Sequence, residues 1–178
     1  MKVVLVDCGS SSTEELKNSI LNSGADDIEV VEPFSRMKKG DIYLFSGRAK
    51  KSSGMDRWTA DMIRAVRGER ALFICYSAEL LNLLMGGRLI RAEPVEGFVE
   101  VEFVRPSLLW PRAEKVEFYE SRAYRISKLG QGLEPLATSK RMGMEAYRFE
   151  EFYGVLFHPE LSGKNGLTLL SRFLKGRG

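Results

Sequence analysis

The chain has 178 residues, 44% of them hydrophobic and 29% charged, with a formal net charge of +3. That is the size of one domain, expected to span residues 1–178, and the balance of an ordinary folded globule; it excludes a disordered chain and the need for disulfide staples. The basic residues are dispersed, with Lys50-Lys51 and Arg64, Arg67 and Arg70 falling short of a stripe, so nucleic acid is not an expected partner.

Lys2 to Asp7 is an aliphatic, β-branched run that reads as a buried strand and ends in a Cys8-Gly9-Ser10 turn. Thr13, followed by Glu14 and Glu15, is the expected N-cap of a helix that carries Leu16, Ile20 and Leu21 and closes at Gly24. Strands are predicted at 28–31 and 42–45, a helix over 56–66, a strand at 71–74, and a leucine-rich helix over 78–85 stopped by Gly86-Gly87. Strand–helix alternation with continuous apolar strands implies a parallel sheet flanked by helices. The second half differs: Val99, Val101 and Phe103 alternate with Glu100 and Glu102, the period of a strand with one wet face. Further strands are predicted at 116–119, 146–149 and 153–157, and a closing helix over 167–174. The fold class is therefore α/β, a mostly parallel sheet with a small antiparallel addition. No apolar run reaches the roughly 18 residues of a membrane span, and two distant cysteines without a Cys-x-x-Cys pair suit a reducing compartment. A cytoplasmic protein with no membrane partner is expected.

Ligands of open parallel sheets sit beyond the carboxyl ends of the strands. Cys75 lies there, between a strand and a helix, in the strand–turn–helix setting of a nucleophile elbow. A helix N-terminus behind it favours a thiolate and a developing oxyanion. An isolated cysteine at a strand end is more often a buried packing residue, and Cys8 is read that way. His158, the only histidine, ends an apolar strand and is followed by Pro159 and Glu160. Proline restricts the preceding residue to extended geometry, in which residues i and i+2 point the same way. Glu160 can then accept a hydrogen bond from Nδ1–H and leave Nε2 as a base, which is the base-plus-orienter half of a catalytic triad.

Phe73-Ile74-Cys75-Tyr76-Ser77, then Gly86-Gly87, then Tyr153-Gly154-Val155-Leu156-Phe157-His158-Pro159-Glu160, resemble the Gly-Ile-Cys-x-Gly elbow, Gly-Gly and Tyr-Gly-Val-Gln-Phe-His-Pro-Glu strand of class I glutamine amidotransferases. Val6-Asp7-Cys8-Gly9-Ser10, Leu44-Phe45-Ser46-Gly47 and Leu136-Ala137-Thr138-Ser139 are similar to segments of the stand-alone glutaminase subunit of GMP synthetase. The resemblance implies a flavodoxin-like amidotransferase fold and hydrolysis of the glutamine side-chain amide, with ammonia passed to a synthetase partner. Cys75 would be the nucleophile, His158 the acid and base, and Glu160 the orienter. The backbone N–H groups of Gly47 and Tyr76 would form the oxyanion hole, and Glu79 and Ser121 would contact substrate. No cofactor and no metal are implied.

Six positions depart from the family pattern. Phe73 stands where the family has a glycine, Ser77 replaces another, and Glu79 replaces a glutamine that helps bind substrate. Arg122 and Tyr124 replace a histidine and an aspartate in the segment Tyr119 to Ile126, and Arg48 follows Gly47 where the family has a second glycine. Phe73 is expected to crowd the tight elbow, and Arg122 and Arg48 are candidates to recognise an anion. Two other readings therefore stay open: a thiol hydrolase of another amide on the same scaffold, and a non-catalytic module that keeps the fold.

Overall fold

The computed structural model describes residues 1–176. Nine strands form one sheet, in the order β2-β1-β3-β4-β9-β8-β7-β5-β6. β1 (Lys2–Val6), β2 (Asp27–Val31), β3 (Ile42–Phe45), β4 (Ala71–Ile74) and β9 (Phe152–Val155) run parallel. Their side chains alternate between two apolar layers. Val3, Leu5, Leu72 and Ile74 face α1 (Thr13–Asn22) and α4 (Gly163–Lys175), while Val4, Val6, Ala71 and Phe73 face α2 (Met55–Ala65) and α3 (Tyr76–Leu84). Burial on both faces is why these strands read as unbroken apolar runs.

β8 (Gly143–Phe149), β7 (Glu134–Ser139), β5 (Arg88–Phe103) and β6 (Lys115–Lys128) continue the sheet antiparallel. The α/β class stands, and its antiparallel part is four strands wide, larger than the small addition expected. β5 and β6 pair as a long hairpin from Arg88↔Lys128 to Glu102↔Lys115. Its inner stretch alternates cleanly, because one face meets the core there: Val101, Phe103, Val116 and Phe118 are buried with Trp110 and Phe157. The outer stretch packs Leu89 and Ile126 against the second apolar layer and Val95 against Val99 and Met142, but it also carries Arg88, Arg91, Glu93 and Pro94, which break any apolar period. The hairpin positions the site, since β6 passes over the carboxyl ends of β4 and β9 and His158 N–H donates to Tyr119 O at 2.8 Å.

Candidate active site

Cys75 follows β4 directly. Ile74 pairs with Val155 of β9, and Cys75 N–H donates to Val155 O at 2.8 Å, which ties the strand end down before the turn. The turn needs φ 50° and ψ −108° at Cys75, a left-handed conformation that costs a residue with a Cβ about 1–3 kcal/mol. α3 begins at the next residue, Tyr76, so the thiol stands at a helix N-terminus where the backbone dipole favours negative charge. Ser77 suits the turn: its hydroxyl accepts the Ile74 N–H at 2.9 Å and lies 3.0 Å from Phe45 O. The crowding expected of Phe73 does not occur. Its side chain leaves the sheet on the opposite layer, fully buried, with its ring 4.7 Å from that of Phe45 and 5.0 Å from that of Phe152.

β9 stops at Val155, and Leu156 and Phe157 carry the chain on to His158, which is extended at φ −104° and ψ 94°. Pro159–Leu161 then forms a single 3-10 turn rather than the extended chain expected, and the turn folds Glu160 back so that Oε1 lies 2.9 Å from His158 Nδ1. Gly166 of α4 packs against the Pro159 carbonyl with no room for a Cβ, so the last helix braces this turn. Ser162 Oγ–H donates to His158 O at 2.6 Å and accepts the Tyr119 N–H at 2.9 Å, which joins the turn to β6. Burial alone would pull the imidazole down, but its contacts with Cys75 and Glu160 outweigh burial and push His158 up to about 10. The ring therefore holds a proton at neutral pH.

Gly47, in the loop after β3, closes the third side. A Cβ there would stand 3.1 Å from His158 Cε1 and 3.6 Å from Cys75 Cβ. Ser46 fixes the loop, its hydroxyl accepting the Cys8 N–H at 2.8 Å. Arg48 is not a free anion receptor: it lies 3.8 Å over the Tyr76 ring and donates to Asp56 Oδ1 at 2.7 Å, the atom that also accepts Tyr76 O–H at 2.6 Å. Cys8 is fully buried, and burial pushes its thiol up to about 12, the behaviour of a packing residue.

A cleft of about 270 Å³ opens beside the elbow, lined by Arg48, Asp56, Tyr76, Glu79, Leu83 and Tyr124 among others. Burial pushes the Glu79 carboxyl up to about 7, against the opposing pull of Arg122, Arg48 and His158. Ser121 presents its backbone carbonyl 3.9 Å from Cys75 Sγ, while its side chain is exposed. Arg122, in contrast, turns away from the cleft. Its guanidinium is buried between Glu120 Oε2 and Glu145 Oε2, both at 2.9 Å, so it is spent inside the sheet and is no receptor for substrate. Tyr124 alone of the two changed positions lines the cleft.

The structure thus brings Cys75, His158, Glu160, Gly47 and Tyr76 together, with Glu79 and the Ser121 carbonyl at their margin. Sequence reasoning missed Ser12, Ser162 and Asp56. Short polar residues in loops carry no periodic signal; the only hint was the run Ser10-Ser11-Ser12 directly before a helix.

A family model, "Glutamine amidotransferase class-I", matches residues 4–176. GMP synthase [glutamine-hydrolyzing] of Zymomonas mobilis is 29% identical over 97% of this chain and 35% of its own length. The counterpart from Limosilactobacillus reuteri is 28% identical over 97% of this chain and 35% of its own. The chain spans about a third of the length of these curated relatives. A putative GMP synthase subunit from Thermoplasma acidophilum superposes with a TM-score of 0.84 at 18% identity, covering 97% of this chain and 92% of that one. PurLQS from Thermotoga maritima gives 0.80 at 14% identity, over 97% of both chains. The two superpositions establish the shared fold, and the family match along nearly the whole chain establishes its membership: this protein belongs to the class I glutamine amidotransferases.

Proposed function

We propose that the chain is a glutaminase that hydrolyses the side-chain amide of glutamine with a Cys75–His158–Glu160 triad and delivers ammonia to a synthetase partner. The observation that carries this reading is the strained Cys75 at the head of α3, facing a buried imidazole that Glu160 holds by Nδ1. The Cys75 thiolate attacks the amide carbon, and the carbonyl electrons move onto oxygen beside Gly47 and Tyr76. Hydrogen-bond donors there stabilise the oxyanion by about 2.7–4 kcal/mol each. The imidazolium of His158, already protonated at neutral pH, gives its Nε2 proton to the departing nitrogen, and a thioester and ammonia form. Neutral His158 then takes a proton from water as that water attacks the thioester, and glutamate leaves. The names of the curated relatives make GMP synthase the first synthetase to test as acceptor.

The test is ammonia release from glutamine, alone and with the synthetase portion of a GMP synthase, together with alkylation of Cys75 by a glutamine-analogue electrophile. Labelling by a general thiol reagent but not by the analogue, with no ammonia under either condition, would overturn it in favour of a hydrolase of another amide. Gly47→Ala gives a second expectation. A methyl 3.1 Å from His158 Cε1 displaces the ring by a few tenths of an ångström. We expect kcat for ammonia release to fall about tenfold or more, with the thermal midpoint nearly unchanged. Wild-type kcat would remove Gly47 from the site.

Glu79 sets a pH dependence. With its carboxyl raised from 4.5 to about 7, it is neutral in acid and ionised above neutrality. Ionised, it offers an anion to the α-ammonium group of glutamine, while Lys51 lines the same cleft for the carboxylate. KM for glutamine is therefore expected to fall as pH rises from 6 to 8 around the midpoint near 7, and Glu79→Gln to flatten that change. The sign for stability is opposite. A carboxyl raised on folding costs stability that grows from pH 4.5 to about 7, so Glu79→Gln should be stabilising at pH 8, by on the order of 3 kcal/mol, and neutral at pH 4. Urea unfolding at the two pH values measures it.

A further inference from the structure

Glu160 carries a second hydrogen bond that the triad does not account for. Ser12 Oγ–H donates to Glu160 Oε1 at 2.9 Å, the same oxygen that meets His158 Nδ1, and the two residues are 148 positions apart in the chain. Ser12 occupies the N-cap position of α1, where a serine hydroxyl ordinarily accepts a backbone N–H of the first turn. Here it makes no such cap bond. Its hydroxyl points instead at the carboxylate, and a short chain of serines holds it there. Ser10 Oγ lies 3.0 Å from Ser12 Oγ and accepts the Ser12 N–H at 3.1 Å, so the Ser10 hydroxyl hydrogen is directed to Ser12 Oγ and the Ser12 hydrogen to Glu160.

The surroundings leave Glu160 little else. Its side chain is 1% exposed, and Oε2 is buried without a hydrogen-bond partner among the described residues. Oε1 thus receives both donors, one from the imidazole and one from α1. A buried carboxylate held by a single hydrogen bond can rotate about its last torsion; two donors converging on one oxygen fix its plane and, through it, the plane of the imidazole.

We propose that Ser12 is a positioning residue of the site: it locks the Glu160 carboxylate so that His158 keeps its Nδ1–H on Glu160 and its Nε2 toward Cys75. The proposal rests on the triad reading above but is tested separately from it. His158 is the only histidine in the chain, so its ring N–H proton resonances can be assigned without ambiguity. In the wild-type protein the Nδ1–H is expected as a protected, low-field signal. Ser12→Ala should broaden that signal into solvent exchange or move it upfield, and lower kcat for glutamine hydrolysis about tenfold, the loss of one hydrogen bond to a charged group, with KM within twofold. Ser12→Thr keeps a hydroxyl and should restore both. Ser11→Ala, an exposed neighbour in the same loop, should change neither and controls for disturbance of the start of α1. An unchanged Nδ1–H signal in a folded Ser12→Ala protein overturns the proposal, whatever the activity. A signal lost in Ser12→Ala and kept in Ser12→Thr upholds it even if glutamine proves not to be the substrate, since the resonance reports the geometry and ammonia release reports the reaction.

Discussion

Replacing Cys75 with alanine or glycine is expected to abolish ammonia release in both cases, by at least about ten-thousand-fold, while the glycine variant unfolds at a higher temperature than the alanine variant. Both lose the nucleophile, so neither retains a route to the thioester. They differ in the backbone. At φ 50° and ψ −108° alanine keeps the Cβ that makes this turn costly, and glycine removes it. Relief of about 1–3 kcal/mol is set against roughly 0.5–1 kcal/mol for the extra freedom of glycine in the unfolded chain. The net gain of about 1 kcal/mol corresponds to a rise of roughly 2–4 °C at this chain length. Two equal unfolding midpoints would show that the turn stores no strain. Both variants also remove the thiol contact that, with Glu160, holds His158 up at about 10. The imidazole should therefore titrate lower in each, and the lone histidine makes the shift directly readable by NMR.

The strain explains why the sequence signalled this part of the fold so clearly. A strand of four buried residues running into a cysteine and straight into a helix leaves the chain one way to turn, and the residues that make the turn are contiguous. His158 was legible for a related reason: the Pro159-Glu160 continuation fixes local geometry, even though the backbone that delivers Glu160 is a 3-10 turn and not the extended chain that proline suggested. What the sequence hid depends on contacts between distant segments. Phe73 looked like an obstruction to the elbow because its layer is invisible in one dimension; in space it packs between Phe45 and Phe152. Thr13 was the better N-cap by pattern, yet Ser12 holds that position, its hydroxyl taken by a carboxylate from the far end of the chain. The outer half of the hairpin was hidden as well, since Arg88 to Gly97 has too little burial to impose a period.

The same blindness to distance gave Arg122 the wrong role, and its true one predicts a large effect on stability. An arginine beside the predicted site reads as an anion receptor. In the sheet it is the centre of a buried cluster, its side chain 2% exposed and those of Glu120 and Glu145 fully buried. Burial pushes the Glu145 carboxyl up, against the pull of Arg122 and with Glu120 raising it further, and the guanidinium balances the carboxylate charge buried with it. Arg122→Met removes that balance and leaves carboxylate charge buried without a partner. The expected cost is about 3–5 kcal/mol, a fall of roughly 10 °C in the unfolding midpoint. The pH dependence has a definite sign. To stay neutral the variant cluster must bind a proton in the folded state that the unfolded chain gives up, so the destabilisation grows with pH, by up to about 1.36 kcal/mol per unit, and shrinks in acid. A cost independent of pH between 5 and 8 would show that the cluster does not carry the charge assigned to it. Replacing all three residues at once, Glu120→Leu, Arg122→Met and Glu145→Leu, removes charge and countercharge together and is expected to recover most of the lost stability. Between Glu120 and Arg122 lies Ser121, whose carbonyl stands 3.9 Å from Cys75 Sγ. If the triple variant is as stable as the wild type but slower in ammonia release, the cluster sets the position of β6 against the nucleophile as well as the stability of the sheet.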